Sequence, residues 1–180
     1  MASTIRLVFL IVAGSVIASY GQVQSINMQV KTTSWNEYSQ KWDKSVLTTW
    51  IDGKTAFIGA SEGSNQSQVR LVEGSGDREK VIGFLKKSLE WAEKSKTEKL
   101  TTDKTVGMLD TGFKVVFISE DAGAKVGVVL RIRNLSSSNQ FGAFFIEPPQ
   151  IEQLIGILER LPAVIASAQA DAKKADAVLK

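Results

Sequence analysis

The 180-residue chain contains neither histidine nor cysteine. Imidazole and thiolate chemistry therefore has no residue to carry it, whether as general base, nucleophile or zinc ligand. Carboxylate, hydroxyl, ammonium, guanidinium and aromatic side chains remain. Three groupings stand out by type and spacing: Asp110 within Leu109-Asp110-Thr111-Gly112; Trp35, Tyr38 and Trp42 at i, i+3 and i+7; and Lys125, Arg131 and Arg133 on one side of an alternating segment.

Gly59-Ala60-Ser61-Glu62-Gly63 fits the G-x-S-x-G elbow of serine hydrolases and follows a predicted strand. Its serine needs a histidine to take the proton, and no S-x-x-K supplies a lysine instead. The segment is expected to be a flexible strand exit. Asp110-Thr111-Gly112, preceded by two apolar residues, resembles the catalytic triplet of aspartic proteases over about six residues. That resemblance implies an Asp110 that shares a proton with a second aspartate, supplied by a dimer. Phe113 stands where that family usually has a small residue, and a hairpin turn built on Asp-Thr-Gly accounts for the triplet equally well. Glu120, Asp121 and Glu147 fall near predicted strand ends, where polar residues are the default. No Asp-rich calcium loop is present, and neither a metal nor a cofactor is implied.

Ser34 and Glu37 fit a capping box ahead of Trp35, Tyr38 and Trp42, which predicts an amphipathic helix pressing its aromatic stripe onto a sheet. The functional alternative is an aromatic patch that stacks on sugars or sits at a membrane interface. Asn65-Gln66-Ser67 and Asn134-Leu135-Ser136 are N-x-S sequons in predicted loops.

The elements that must hold these residues form two blocks. In the first, Val46 to Ile51 and Thr55 to Ala60 flank Asp52-Gly53, a hairpin signature, and Gln68 to Glu73 follows. Asp77 offers an N-cap to a helix reaching Lys96 with Val81, Phe84, Leu85, Ser88 and Ala92 on one face. The second block has strands Phe113 to Glu120, Lys125 to Arg133 and Phe141 to Glu147, then a helix from Pro149 with the stripe Ile151, Leu154, Ile155, Leu158 and Leu161. In Lys125 to Arg133 the residues Val126, Val128, Leu130 and Ile132 share one face and the cations share the other. Additional short strands, Ile26 to Val30 and Thr105 to Leu109, open the blocks. Pro162 is expected to kink or end the last helix, and 163–180 reads equally as a packed helix or a solvated tail.

The fold class is therefore α+β: antiparallel sheet from two successive strand-strand-strand-helix blocks, about 22–100 and 101–162, with the helices on one face. Ahead of them, Arg6 precedes an apolar run from Leu7 to Ala18, then Ser19, Tyr20 and Gly21. This is the order of a secretory signal peptide, and cleavage after Gly21 is favoured over cleavage after Ala18. The run is too short for a permanent transmembrane anchor. After Gly21 the basic and acidic residues nearly balance, which describes a solvated surface.

These observations lead to the expectation of a single exported domain, periplasmic or secreted, that binds a protein or small-molecule ligand without catalysis. A carboxylate-based hydrolase acting through Asp110 is the first alternative. The second comes from the order of elements: strand units closed by a helix, used twice, resemble the arrangement of whirly-type single-stranded nucleic-acid binders, whose curved sheets present basic and aromatic side chains. That resemblance implies polyanion binding at Lys125, Arg131 and Arg133; scattered cations that discourage edge aggregation are the competing account.

Overall fold

A computed structural model describes residues 28–62, 65–135 and 140–178. The leader, 1–21, lies outside the described residues. The first block is β1 (Met28–Asn36), β2 (Lys41–Asp52), β3 (Thr55–Glu62), β4 (Asn65–Val72) and α1 (Asp77–Glu98). The second is β5 (Thr102–Leu109), β6 (Phe113–Glu120), β7 (Lys125–Arg133), β8 (Phe141–Ile146) and α2 (Pro148–Val178). All eight strands join one sheet, ordered β4-β3-β2-β1-β8-β7-β6-β5, in which every neighbouring pair is antiparallel.

Mixed α+β architecture follows from the pattern as expected, but the strand that opens each block is a full member of the sheet, so that four strands precede each helix in place of the strand-strand-strand-helix pattern. The extra strands are long: β1 reaches Asn36 and β5 starts at Thr102. β1 takes the place of the predicted aromatic helix. Trp35 and Trp42 are cross-strand partners, and residues 37–40 turn the chain between them. The Asn36 side chain organises that turn: its Oδ1 accepts from the Tyr38 and Ser39 amides at 3.0 and 3.1 Å, and its Nδ2 donates to Asp43 Oδ2 at 2.9 Å. An aromatic pair seven residues apart fits a helix face, but Trp and Tyr gain more from a pleated, half-buried surface.

The β2–β3 hairpin is present one residue further on than the Asp52-Gly53 signature predicts. Asp52 pairs with Thr55, leaving Gly53-Lys54 as the loop, and of these two only Gly53 has positive φ. A single left-handed residue at the first loop position is the pattern of a type II′ turn. α1 begins at Asp77 with Gly76 as its N-cap residue, so Asp77 sits in the first turn and not at the cap.

Alternate side chains of the strands form the core: Val30, Leu47 and Ile58 from the first block, Phe113, Val115, Phe117, Val128, Leu130 and Phe144 from the second. Both helices cover this inner face. α1 contributes Val81, Leu85 and Ala92, and lies against β4 to β7. α2 contributes Ile151, Leu154, Leu158 and Leu161, and packs on α1 and β1. Each such aliphatic or aromatic side chain stabilises the fold by roughly 1.5–3 kcal/mol on burial. α1 approaches β5 so closely that a Cβ at Gly107 would sit 2.2 Å from the Phe84 ring. Pro162 neither ends α2 nor stops its burial, since the helix runs on to Val178 and Ile165 is still in the core.

Candidate functional site

Among the described residues the outer face of the sheet is the side without helices, and strand register builds it row by row. In one row Trp42 pairs with Trp35, while Ala143, Arg131 and Lys114 continue across β8, β7 and β6. The neighbouring row runs Lys44, Thr33, Phe145, Val129, Val116 and Thr105 from β2 to β5. Because side chains alternate along a strand, the strands that bury Phe144 and Leu130 inward turn Phe145 and Arg131 outward.

The aromatic groups touch one another. Trp35 and Trp42 meet edge-to-face with centroids 5.6 Å apart, and Trp42 lies 6.0 Å from Phe145 at 58°. Trp35 and Trp42 remain 39% and 42% exposed, so their rings are available to a ligand. Lys125 Nζ stands 5.8 Å from the Phe145 ring centroid and donates to Glu120 Oε2 at 2.8 Å. That hydrogen bond holds the Lys125 ammonium above its usual pKa, against a smaller opposing effect of burial. A second aromatic pair on the same face, Trp50 and Phe57, stacks at 5.3 Å and 8°, with Arg70 as the cross-strand partner of Phe57.

Two adjoining depressions occupy this surface. The first, about 400 Å³, lies at the β1–β8 seam and includes Lys31, Trp42, Lys125, Phe145 and Gln150. The second, about 750 Å³, includes Trp35, Trp42, Lys114, Val116 and Arg131. They share Trp42 and Ile118. The seam is thin: only Thr33 with Phe145 and Ser34 with Phe144 are in register, helped by Thr32 Oγ1 donating to Phe145 O at 2.6 Å. Beyond those pairs β8 ends at Ile146, and the start of α2 comes in beside β1, with Gln150 in the lining and Gln153 Nε2 donating to Gln29 O at 2.9 Å.

The residues singled out in the sequence are distributed unevenly. Trp35, Trp42, Lys125 and Arg131 come together on the outer face. Tyr38 projects from the β1–β2 turn, 99% exposed. Arg133 lies on the same side of β7, next to the Gly112 turn, where its side chain limits the space beside Gly112. Asp110 is exposed in the β5–β6 hairpin turn, closed by Gly112 N donating to Leu109 O at 3.1 Å, and lines neither depression. Ser61 pairs with Gln66 inside a β-hairpin, so no strand-to-helix elbow forms around it. Of the two sequons, Asn65 is not in a loop as expected but opens β4 in register with Glu62, while Asn134 lies in the β7–β8 connection as expected, buried and bridged to Ser67. Among the described residues no group of three or more Asp and Glu could hold a metal ion, and no helix is long and apolar enough to cross a membrane.

Phe145, Lys31 and Lys114 belong to the site but do not stand out in the sequence. The signal is there in Phe141-Gly-Ala-Phe-Phe-Ile146, where alternation from a buried Phe144 forces Phe145 to the other face. Lys104 is a further cation on β5, yet its ammonium sits over Trp91 of α1 at 5.2 Å from the ring centroid.

The fold and this surface define a class: a single-sheet α+β protein with helices on one face and an open aromatic and cationic face on the other. Comparison with family models, with curated proteins and with solved structures gives no match for the chain.

Proposed function

We propose that this chain is an exported, non-enzymatic binding protein whose outer sheet face takes single-stranded nucleic acid. The observation that carries the reading is the meeting of Trp35, Trp42 and Phe145 with Lys31, Lys114, Lys125 and Arg131 on one continuous face. Aromatic rings stack on unpaired bases of any sequence, and flanking cations follow the phosphates. The six strands from β2 to β5 span roughly 24 Å at the usual strand spacing, enough for a short extended segment of polynucleotide.

Neutral sugars also stack on tryptophan, but they give the cations nothing to neutralise. A duplex hides its bases from a flat aromatic platform. The near balance of charges in the whole chain leaves this face a small excess of cations, with Lys31, Lys44, Lys114, Lys125 and Arg131 set against Asp103, Glu120 and Glu147. Export rests on the leader, Arg6 followed by Leu7 to Ala18, and implies an encounter outside the cytoplasm.

Fluorescence anisotropy with a mixed-sequence strand of about 20 nucleotides, compared with the same strand as duplex, tests the ligand. Preference for the single strand by tenfold or more is expected. Equal affinity for duplex, or no binding to either, overturns the reading. Edman sequencing of protein recovered outside the cytoplasm is expected to begin at Gln22, and an intact Met1 there would overturn the leader.

A further inference from the structure

The depression at the β1–β8 seam differs from the rest of the face in its polar lining. In the second depression the cations Lys114 and Arg131 stand against a single carboxylate, Asp103. At the seam the lining includes acceptors: the carboxylates of Glu120 and Glu147 and the side-chain amide of Gln150. Glu120 is engaged by Lys125. Gln150 is not satisfied in the same way. Its Oε1 is shut off from solvent and has no hydrogen-bond partner among the described residues.

A buried acceptor without a donor is costly, because the amide has given up water and received nothing in return. Gln150 is held there by its position in the first turn of α2, next to the Pro148-Pro149 pair that fixes the helix start. The walls of the same depression are the Trp42 and Phe145 rings, 6.0 Å apart between centroids. Aromatic walls, an acceptor in want of a donor, a carboxylate at Glu147 and a nearby cation at Lys31 are what an unpaired nucleobase with an exocyclic amine needs.

We infer that the seam depression is a base-reading subsite for cytosine or adenine, an inference that rests on the single-strand reading above. The base lies against Trp42 and Phe145, and its exocyclic N–H donates to Gln150 Oε1 once the amide has rotated to turn that oxygen into the depression. Thymine is disfavoured, because where cytosine and adenine carry the exocyclic amine it presents a carbonyl oxygen to Gln150 Oε1 and Glu147.

The test compares dC and dT homopolymers of equal length, about 12 nucleotides, against the whole protein and two variants. The wild type is expected to bind the dC strand about fivefold or more tightly than the dT strand. Gln150→Leu should bring the two affinities together by weakening dC alone, whereas Gln150→Glu, which keeps an acceptor, should retain the preference. Equal wild-type affinities, a preference for dT, or a dC preference that survives Gln150→Leu overturns the subsite while leaving single-strand binding intact. Failure to bind either homopolymer overturns the single-strand reading and the subsite with it. Should Gln150→Leu not fold, loss of the dC preference in Gln150→Lys, which replaces the acceptor with a donor, supports the subsite and its survival overturns it.

Discussion

Trp35 and Trp42 face each other across the β1–β2 ladder with centroids 5.6 Å apart, and each keeps about two-fifths of its surface in water. A T-shaped pair of this kind is stabilised by roughly 0.5–1.5 kcal/mol beyond area burial, and it holds both rings still without hiding them. Phe145 extends the pair across the seam. The two blocks of the chain therefore meet at an aromatic cluster, with cations on either side.

Trp42→Ala removes the ring shared by both depressions. Loss of one base stack costs about 1–3 kcal/mol, so affinity for a single strand should fall roughly five- to 150-fold in an anisotropy titration. Thermal unfolding should shift by only a few degrees, since the ring is half-exposed. Unchanged affinity would detach the aromatic cluster from binding.

Replacing Lys114 and Arg131 together with alanine tests the cations, which are cross-strand partners on the outer face. Each phosphate contact on a single strand contributes about 0.7 to the slope of log affinity against log salt, so the double variant should show a slope shallower by about 1.4. A slope equal to the wild type would mean that these side chains touch no phosphate.

Much of this arrangement is legible in the order of the residues alone. β6 and β7 begin and end where alternation puts them, because one face of each is continuously apolar and Glu120 pairs with Lys125 at the tight connection. The α2 stripe is equally plain. The Trp35 to Trp42 segment misleads, since a separation of seven suits a helix face and also a hairpin in which Asn36 pairs with Lys41 around four turn residues. What local pattern cannot carry is the neighbour across a sheet: β1 beside β8 brings Trp42 to Phe145 over a hundred residues of chain, and no short-range signal encodes that pairing. Gln150 is hidden for the same reason, being an ordinary first-turn residue until the seam is seen beside it.

Binding should be independent of pH from about 6 to 9, because no histidine or cysteine is present to titrate there. At the alkaline end Lys125 does not limit binding. Its pKa is raised above the usual lysine value, chiefly by the hydrogen bond to Glu120, so its charge is kept throughout this range and is lost only at more alkaline pH. Anisotropy across this range should be flat to within twofold. A fall between pH 6 and 8 would require a group that the site does not have.

Stability offers an independent check on the fold. Gly123 has φ +83°, and a Cβ there would lie 2.3 Å from the Ser95 carbonyl oxygen at the end of α1, a backbone atom that cannot swing away. Gly74 has the same φ with open space around it. Gly74→Ala should cost about 1–2 kcal/mol from backbone conformation alone. Gly123→Ala should cost several kcal/mol in urea unfolding, since collision is added to strain. Equal costs would contradict the packing of α1 against the β6–β7 connection.

Whether the aromatic face holds the strand is settled best by photocross-linking with a single strand carrying bromodeoxyuridine, followed by mass-spectrometric mapping of the adducts. Adducts are expected on Trp35, Trp42 or Phe145, abolished by excess unlabelled single strand and not by duplex. Adducts confined to α1 and α2, or none at all under conditions where anisotropy reports binding, would contradict single-strand binding on this face.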